Sequence, residues 1–542
     1  MQNGGGGSEA DLVGVAIALG ATRNATQSGR LDDLERACVA GASRVSDACA
    51  RTFHERIARG EDPLGDAFCA LRSRERRRAL GATYTPDPIV SAMTSYCARR
   101  PHVRVVDPGA GSGRFVVAAG RAMPRAELVA VEIDPVASLL TRAHLAAAGL
   151  SDRARVVRTD FRELKLPRMV GSTLFLGNPP YVRHHAISSA WKDWLRVRAR
   201  SLGLEASGLA GLHAHFFLAT ALHGSVGDEG AFVTAAEWLD VNYGRIVRQL
   251  LLGPLGGESI HVIEPEAMPF ADAATTAAIT CFRLGAQPAA LRMRRVASSG
   301  ALAPLRQAAG GEADERIARE ALTSARRWTP FTRPARARPT GFVELGELCR
   351  VHRGQATGAN HVWIASDDAR DLPGEVLFAC VTRARELFEA GAALRDARCL
   401  RRVIDLPEDL SSFSGPARRA IERFLRTARG KGAHEGFLAR HRRPWWSVGL
   451  REPAPILATY MARRPPAFVR NVARARHINV AHGVYPREPM AAPLLDALAR
   501  HLATETSTED GRTYAGGLTK FEPREMERLL VPAPTLLAAA GR

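Results

Sequence analysis

The sequence predicts an α/β fold in which helices cover a mostly parallel β-sheet. Between Gly81 and Leu284, short apolar runs alternate with segments of helical spacing, and polar or acidic residues follow the first four runs. Such alternation is typical of parallel strands joined by helices, and ligands bind at the carboxyl ends of those strands. Seven runs predict seven strands, at residues 103–106, 128–131, 154–157, 173–176, 231–234, 260–263 and 277–282.

The remaining segments flank this sheet. Residues 1–78 carry Ala, Leu and Arg at helical spacing, which predicts a helical N-terminal cap to a domain spanning 79–284. Residues 285–340 are rich in Ala, Arg, Gly and Pro and predict a connecting segment with one or two helices. Residues 341–542 predict a second domain of mixed α/β structure.

Composition limits the classes of partner. The chain has a net charge of +19, carried mostly by arginine, which favours a polyanion such as nucleic acid. Genome composition also enriches Arg and Ala, so charge alone leaves a solvated basic surface open. The eight cysteines form no Cys-x-x-Cys pair or Cys/His cluster, and we expect thiols in a reducing compartment and no metal site. Without a signal peptide or apolar span, we expect a cytoplasmic protein with no membrane partner.

The first predicted strand ends in a glycine-rich turn. Asp107 and Pro108 are followed by glycines at every second position, Gly109, Gly111 and Gly113. Glycines at this point allow a tight turn and let the backbone approach a ligand at the next helix N-terminus. Such turns serve many nucleotides and also purely structural roles, so the neighbouring strand ends decide the interpretation.

Acidic residues end the next two strands. Glu132 stands 25 residues after Asp107, where a carboxylate can accept both hydroxyls of a ribose. Asp160 ends the third strand and can accept an adenine amine, while the adjacent Phe161 can cover the ring face. Together these strand ends predict a nucleoside-containing ligand.

The fourth strand is followed by Asn178, Pro179, Pro180 and Tyr181. This tetrapeptide has the chemistry of a clamp for a planar amino group, because the Asn178 side-chain carbonyl and the Pro179 backbone carbonyl are two rigid acceptors. Two acceptors draw both N–H bonds out of the ring plane and make the nitrogen lone pair available. Tyr181 offers a face for stacking. An ordinary Pro-Pro turn after a strand is the alternative.

In this order the motifs resemble the class I S-adenosylmethionine-dependent methyltransferases, and among them the gamma group of DNA adenine-N6 methyltransferases. The resemblance begins with a Thr-Pro segment ending in Thr85 and Pro86 and runs to about Pro532. It implies a Rossmann-like seven-stranded methyltransferase sheet and a C-terminal target-recognition domain. Residues 211–216 depart from the family pattern, which has Asp-Leu-Tyr ahead of the helix.

The resemblance also implies roles for individual residues. Thr85 and Asp107 would hold the amino-acid end of S-adenosylmethionine, Glu132 its ribose, and Asp160 with Phe161 its adenine. Pro86, Gly109, Gly111 and Gly113 would also belong to the cofactor site. Asn178, Pro179, Pro180 and Tyr181 would hold a flipped-out adenine, with Phe270 on its other face. In the C-terminal domain, Arg353, Gly354, Thr357 and Asn360 resemble a DNA-contacting segment of the family. No metal is expected for methyl transfer.

The resemblance implies a site-specific DNA adenine-N6 methyltransferase acting on double-stranded DNA in restriction-modification or phage defence, with a restriction endonuclease or other defence subunit as a partner. Protein glutamine-N5 methyltransferases share Asn-Pro-Pro-Tyr because a glutamine amide presents the same planar amine. They and rRNA adenine methyltransferases are alternatives, as is a catalytically silent DNA-specificity subunit. The basic second domain favours nucleic acid, and the intact Asn178 and Glu132 favour catalysis.

Overall fold

A computed structural model of the chain describes residues 7–23, 30–72, 85–263, 276–296, 315–332, 338–514 and 518–540. The chain divides into two compact units, one formed mainly by residues up to Ala335 and the other mainly by residues from Arg336. None of the helices in these ranges is long and apolar enough to cross a bilayer. All eight cysteines carry free thiols.

The N-terminal segment is helical, as the spacing of its apolar residues predicts. Its helices are α1 (Glu9–Ala18), α2 (Asp33–Ala40), α3 (Asp47–Ala58) and α4 (Pro63–Leu71). Ser8 and Asp32 are the N-cap residues of α1 and α2, and each forms a capping box. In a capping box, the N-cap side chain accepts from the backbone N–H three residues later, and the side chain of that later residue accepts from the N-cap N–H. These helices bury their apolar residues against the later helix Pro135–Ala147, so the segment shares a core with the α/β domain.

A buried ion pair reinforces that core. Glu35 in α2 accepts from Arg142 Nε at 3.0 Å and from the Ser138 hydroxyl at 2.7 Å. The Glu35 and Arg142 side chains are 1% and 2% exposed. Because both charges lie away from water, each depends on the other for solvation.

All seven predicted strands are present in one sheet. They are β1 (Arg104–Pro108), β2 (Glu127–Glu132), β3 (Ala154–Arg158), β4 (Thr173–Gly177), β5 (Glu229–Ala235), β6 (Gly257–Ile263) and β7 (Ala277–Arg283). The strand order begins β3-β2-β1-β4-β5-β7-β6, with parallel pairing from β3 to β5 and an antiparallel β7 between β5 and β6. The Rossmann-like fold class is confirmed.

The sheet is nonetheless larger than predicted. Two further strands, β8 (Ala290–Val296) and β9 (Glu315–Ala318), extend it beyond β6 to nine strands. They lie in the segment that the sequence predicts as a helical connection, and the described residues of that segment also include the helix Arg319–Ser324. β8 alternates buried apolar residues such as Leu291 and Met293 with arginines. Those arginines obscured the strand pattern in a chain that is rich in arginine throughout.

Helices cover both faces of the sheet. In chain order after α4 they are α5 (Asp87–Cys97), α6 (Arg114–Ala122), α7 (Pro135–Ala147), α8 (Ser189–Ser201), α9 (Leu212–His223), α10 (Arg245–Leu252) and α11 (Arg319–Ser324). One core cluster contains residues of α5 and α6, and another contains residues of α9 and α10. The carboxyl ends of β1 to β4 are thereby left for a site.

The second unit is a mixed α/β structure. Its main sheet has five strands, β11 (Cys349–Arg353), β19 (Ala481–Pro486), β15 (Ile456–Thr459), β17 (Phe468–Asn471) and β13 (Ala393–Leu394). Smaller sheets contain β14 (Arg402–Ile404), β12 (Leu377–Val381) and β18 (Arg476–His477); β16 (Met461–Ala462), β21 (Leu518–Lys520) and β20 (Arg512–Tyr514); and β10 (Phe342–Glu344) with β22 (Leu530–Pro532). Its helices are α12 (Leu345–Leu348), α13 (Asn360–Trp363), α14 (Ala384–Ala390), α15 (Gly415–Gly430), α16 (Phe437–Arg440), α17 (Ala492–Glu505), α18 (Pro523–Glu527) and α19 (Pro534–Ala540).

We expect Glu35→Ala to loosen the N-terminal segment from α7, because it removes the buried carboxylate that accepts from Arg142 and from the Ser138 hydroxyl. Breaking one side of a buried ion pair costs about 3–5 kcal/mol. Hydrogen exchange of the α7 amides should therefore become faster. Asp33→Ala is the matched control, since Asp33 pairs with Arg36 at the surface, where its side chain is 95% exposed. Equal protection of the α7 amides from hydrogen exchange in Glu35→Ala and Asp33→Ala would contradict the stabilising role of the Glu35–Arg142 pair.

Candidate active site

A cavity of about 530 Å³ opens at the carboxyl ends of β1 to β4. Of the residues predicted from the sequence, its wall contains Thr85, Gly109, Gly111, Glu132, Asp160, Phe161, Asn178 and Pro180. The predicted residues Pro86, Asp107, Gly113, Pro179 and Tyr181 do not line it. The structure therefore brings the four predicted strand ends to one cavity and places some of their residues behind its wall.

Two glycines let the ends of β1 and β4 approach each other. The strands pair in parallel, with Val106 opposite Phe175. A Cβ on Gly177 would lie 2.8 Å from Asp107 Oδ1, so a side chain there would displace the Asp107 carboxylate. Gly109 has a φ of +77°, and a Cβ added there would lie 3.4 Å from Pro180 Cδ. The glycine turn therefore lies directly against the Asn178–Tyr181 tetrapeptide.

Asp107 lies beneath the glycine turn and is 1% exposed. Its Oδ2 accepts from the backbone N–H of Val116 at 3.0 Å, which fixes the start of α6. Burial is the main cause that raises the pKa of Asp107 to about 8; the Val116 hydrogen bond opposes this rise, and the nearby Glu132 charge adds to it. Asp107 supports the turn from behind, and its predicted contact with a ligand ammonium stays a prediction.

Glu132 lies at the end of β2 with most of its acceptor capacity already used. Its Oε1 accepts from the N–H groups of Ile133 and Asp134 at 2.8 and 2.9 Å, and its Oε2 accepts from Gly111 N–H at 2.8 Å. A carboxylate has about four lone-pair sites, so one site remains on Oε2. Burial raises the pKa of Glu132. The carboxylate therefore both orders the glycine turn and retains one acceptor for a ligand hydroxyl.

Asp160 and Phe161 follow β3. Asp160 accepts from the Arg162 side chain and lines the cavity. Phe161 is 2% exposed and packs with Phe216 at a ring-centroid distance of 5.2 Å. Phe161 therefore belongs to the core as well as to the cavity wall, whereas Asp160 presents a polar edge there.

The Asn178 side chain is oriented by Thr85. Its Nδ2 donates to Thr85 Oγ1 at 2.9 Å, so Oδ1 is the atom of that amide that can accept a hydrogen bond. The Tyr181 hydroxyl donates to the Val233 carbonyl at 3.4 Å, which anchors the ring, and burial raises the pKa of Tyr181. Phe270, the predicted second stacking residue, lies outside the described residues.

A hydrogen-bonded chain connects the N-terminal segment to this tetrapeptide. Arg114 Nη1 donates to the Thr85 carbonyl at 2.7 Å, and Arg114 Nε donates to Asp62 Oδ2 at 3.2 Å. The Ser112 hydroxyl, in the glycine turn, also donates to Asp62 Oδ2, at 2.5 Å. Asp62 is 3% exposed, and although burial opposes ionisation, His144 and Arg114 hold its pKa below the usual value. Asp62 thus links the glycine turn to Thr85 and Asn178.

The sequence analysis missed Asp62 because an isolated aspartate before a helix looks like an ordinary N-cap. It does cap α4, where it accepts from Gly65 N–H at 2.9 Å. The same segment also adds Phe68, Cys69 and Arg72 to the cavity wall. Arg72 donates to Asp134 at 2.6 Å, beside Glu132. The predicted helical cap is therefore part of the site.

The predicted DNA-contacting segment of the second unit follows β11. Gly354 is packed so tightly that a Cβ would lie 2.0 Å from the Ile478 carbonyl oxygen. Thr357 is 2% exposed, and its hydroxyl bonds to Asn360 and caps Ala359 N–H at 3.3 Å. Packing thus accounts for Gly354 and Thr357, while Arg353 and Asn360 are exposed. Contact of all four with DNA stays a prediction.

Sequence comparison identifies relatives along most of the chain. Residues 335–540 match the family described as Type II methyltransferase M.Eco57I, C-terminal domain. The chain is 53% identical over 473 residues to Type II methyltransferase M.XamI from Xanthomonas campestris pv. amaranthicola, and the match covers 87% of each chain. Type II methyltransferase M.AccI from Acinetobacter calcoaceticus is 21% identical over 481 residues, which are 84% of this chain and 86% of M.AccI.

A solved structure has a similar fold. The type IIL restriction-modification enzyme MmeI, determined in complex with DNA, superposes with a TM-score of 0.53 at 14% sequence identity. The similarity covers 95% of this chain and 79% of MmeI. At this identity the likeness concerns the fold alone.

We expect the buried Asp107 carboxyl to make stability depend on pH. Its folded-state pKa of about 8 lies above the ordinary aspartate value of about 3.9, so the folded protein holds a proton that the unfolded chain releases. The contribution of protonated Asp107 to the free energy of unfolding is therefore fully present below about pH 4. It falls by about 1.4 kcal/mol per pH unit as pH rises, and it is lost once pH passes about 8. Asp107→Asn should flatten this dependence, leaving the part due to Glu132.

Thermal midpoints measured between pH 5 and pH 9 test this expectation. The control is Asp152→Asn, an exposed carboxyl that should leave the wild-type slope unchanged. A wild-type slope in Asp107→Asn would show that Asp107 is ionised in the folded protein at neutral pH.

Proposed function

The chain belongs to the type II methyltransferases, the DNA methyltransferases of restriction-modification systems, and from that membership we propose that it methylates N6 of adenine at a specific site in double-stranded DNA. The observation that carries this proposal is the position of Asn178 and Pro180 on the wall of one cavity with Glu132 and Asp160. A target-amine clamp and the acceptors for a nucleoside cofactor therefore share a single space.

S-adenosylmethionine is the methyl donor of this family, and the residues of the cavity fit it. When bound, it supplies an electrophilic methyl group on a sulfonium sulfur. Glu132 offers its remaining acceptor to one ribose hydroxyl, fewer than the two that the sequence predicts, and Asp160 offers an acceptor to an adenine amine. Ile133 and Phe161 add apolar wall. Open space lies beside the glycine turn, since a Cβ on Gly111 would have no neighbour within 4 Å. Thr85, Pro86 and Asp107 are proposed for the amino-acid end.

The proposed clamp acts on the amine through two acceptors. Asn178 Oδ1 and the Pro179 carbonyl each accept one N–H of the adenine amine, which pulls the nitrogen out of conjugation and stabilises the positive charge it gains. Thr85 fixes the Asn178 amide in the required orientation through the 2.9 Å bond to Nδ2. Tyr181 and Phe270 are proposed to stack on the base. Positioning and preorganised acceptors account for this chemistry without a covalent nucleophile.

The target adenine must leave the duplex to reach these acceptors. Flipping costs a few kcal/mol of lost stacking and pairing, and aromatic contacts and the amine hydrogen bonds offset that cost. We assign sequence reading to the second unit, where Arg353, Gly354, Thr357 and Asn360 are proposed to lie near DNA. A restriction endonuclease for the same site is the proposed functional partner.

The alternatives are weaker on particular grounds. A protein glutamine-N5 or rRNA adenine methyltransferase would need only the catalytic unit, whereas the similarity to M.XamI extends over 87% of the chain. A silent specificity subunit would not need a Thr85–Asn178 bond or an ordered glycine turn. The adenine proposal is therefore preferred.

We expect Asn178→Ala to lower methyl transfer to DNA by about 100- to 1,000-fold, the effect of removing one preorganised catalytic hydrogen-bonding group. Binding of S-adenosylmethionine should persist, because Glu132 and Asp160 remain. The measurement is transfer of labelled methyl from S-adenosylmethionine to duplex DNA, followed by digestion to nucleosides and identification of N6-methyladenine. His185→Ala is the control, since His185 is exposed just beyond the clamp and should leave transfer intact.

Each result bears on a different part of the proposal. If Asn178→Ala labels DNA as well as the wild type does, the assignment of Asn178 to the clamp is excluded. A methylated cytosine as the only product would overturn the choice of base. Label that enters RNA or protein and never DNA would favour the alternative substrates.

A further inference from the structure

Arg162 holds the Asp160 carboxylate from three directions. The Arg162 backbone N–H and Nε donate to Asp160 Oδ1 at 2.9 and 2.8 Å, and Nη2 donates to Oδ2 at 2.5 Å. The side chains of Asp160 and Arg162 are only 13% and 7% exposed. An ion pair between residues this close in sequence contributes little at a surface, but a buried bidentate pair fixes the carboxylate plane.

Arg162 is in turn held by two aromatic residues on other elements. Its guanidinium carbon lies 3.5 Å from the centroid of the Trp191 ring in the first turn of α8. Its Nη1 lies 3.4 Å from His215 Nδ1 in α9. His215 stacks on Trp194 with an interplanar angle of 8°, and burial lowers the pKa of His215 to about 3, so its ring is a neutral acceptor. Both the edge and one face of the guanidinium are therefore occupied.

This arrangement leaves one acceptor of Asp160 for a ligand. Oδ1 accepts two hydrogen bonds and Oδ2 accepts one, so of about four lone-pair sites the one that remains is on Oδ2. Asp160, Arg162 and Trp191 all lie on the cavity wall. The group that best fits a fixed, charged acceptor is an N–H donor.

We propose that Arg162 is a positioning residue that presents Asp160 Oδ2 to the 6-amino group of the cofactor adenine, and that Trp191 and His215 hold Arg162 in place. This inference rests on the proposed function, since it takes S-adenosylmethionine as the ligand. It also gives residues 211–216, where the chain departs from the family pattern, a part in the site, because His215 contacts Arg162. The array thereby selects a 6-amino over a 6-keto purine.

The selectivity has a physical basis that can be measured. A hypoxanthine ring places a carbonyl oxygen opposite Oδ2, so the amine hydrogen bond is lost and two acceptors face each other. Loss of a hydrogen bond to a charged group raises the dissociation constant about 10- to 100-fold. Without the Arg162 side chain, only the backbone N–H of residue 162 still holds Oδ1, so the carboxylate plane can rotate and the penalty for the keto group should shrink.

The test is calorimetric binding of S-adenosylhomocysteine and S-inosylhomocysteine to the full-length protein. The wild type should prefer the adenine compound by about 10- to 100-fold. Arg162→Met should weaken adenine binding and reduce the preference to about 3-fold or less. Trp191→Leu, which keeps the Asp160–Arg162 bonds, should reduce the preference by about 3-fold. Arg168→Met is the matched control, an exposed arginine that should leave the preference unchanged.

The outcomes separate this inference from the proposed function. A wild-type preference retained by folded Arg162→Met would overturn the inference alone, and so would equal binding of the two compounds by the wild type. Failure of the wild type to bind S-adenosylhomocysteine at all would overturn the proposed function and this inference with it. If Arg162→Met does not fold, Trp191→Leu decides, because an unchanged preference in that variant contradicts the positioning role.

Discussion

The site depends on how closely the ends of two neighbouring parallel strands can approach. β1 and β4 pair in parallel. Gly109 is the first residue after β1, and Asn178 is the first residue after β4. A Cβ at position 177 would lie 2.8 Å from the Asp107 carboxylate, so glycine lets the strand ends approach without displacing that side chain. Because the strands can close at this point, the glycine turn after β1 and the tetrapeptide after β4 become neighbours.

Buried charges then fix the relative positions of these loops. Asp62 receives hydrogen bonds from Ser112 and Arg114, and Arg114 continues to Thr85, whose hydroxyl orients Asn178. Asp160 is fixed by Arg162 in the same way. In each case an arginine with several directed donors orients a group that itself faces the cavity. The abundance of arginine in this chain therefore includes residues that order the site, in addition to those that meet solvent.

Much of the catalytic unit could be predicted from the sequence, for a physical reason. Buried parallel strands need continuous apolar runs, and a loop at a strand's carboxyl end needs polar residues, so Glu132, Asp160 and Asn178 were all visible as strand ends. β8 was missed because its outward residues are arginines within an arginine-rich segment. Glu35 and Asp62 were missed because their burial depends on partners more than 50 positions away, Arg142 and Arg114. Gly354 and Thr357 are the opposite case. Their motif resembles a DNA-contacting segment, but close packing of the loop also explains both residues.

The contact between Asp62 and the glycine turn limits how this enzyme can be shortened. A fragment that began at Thr85 would contain every family motif, yet it would lack the carboxylate that holds Ser112 and Arg114. It would also expose the apolar face of α7 that α1 and α4 cover. The smallest autonomous enzyme therefore starts upstream of the motifs. Chimeras that exchange the second unit should retain residues 8–72 together with the α/β sheet domain against which these residues pack.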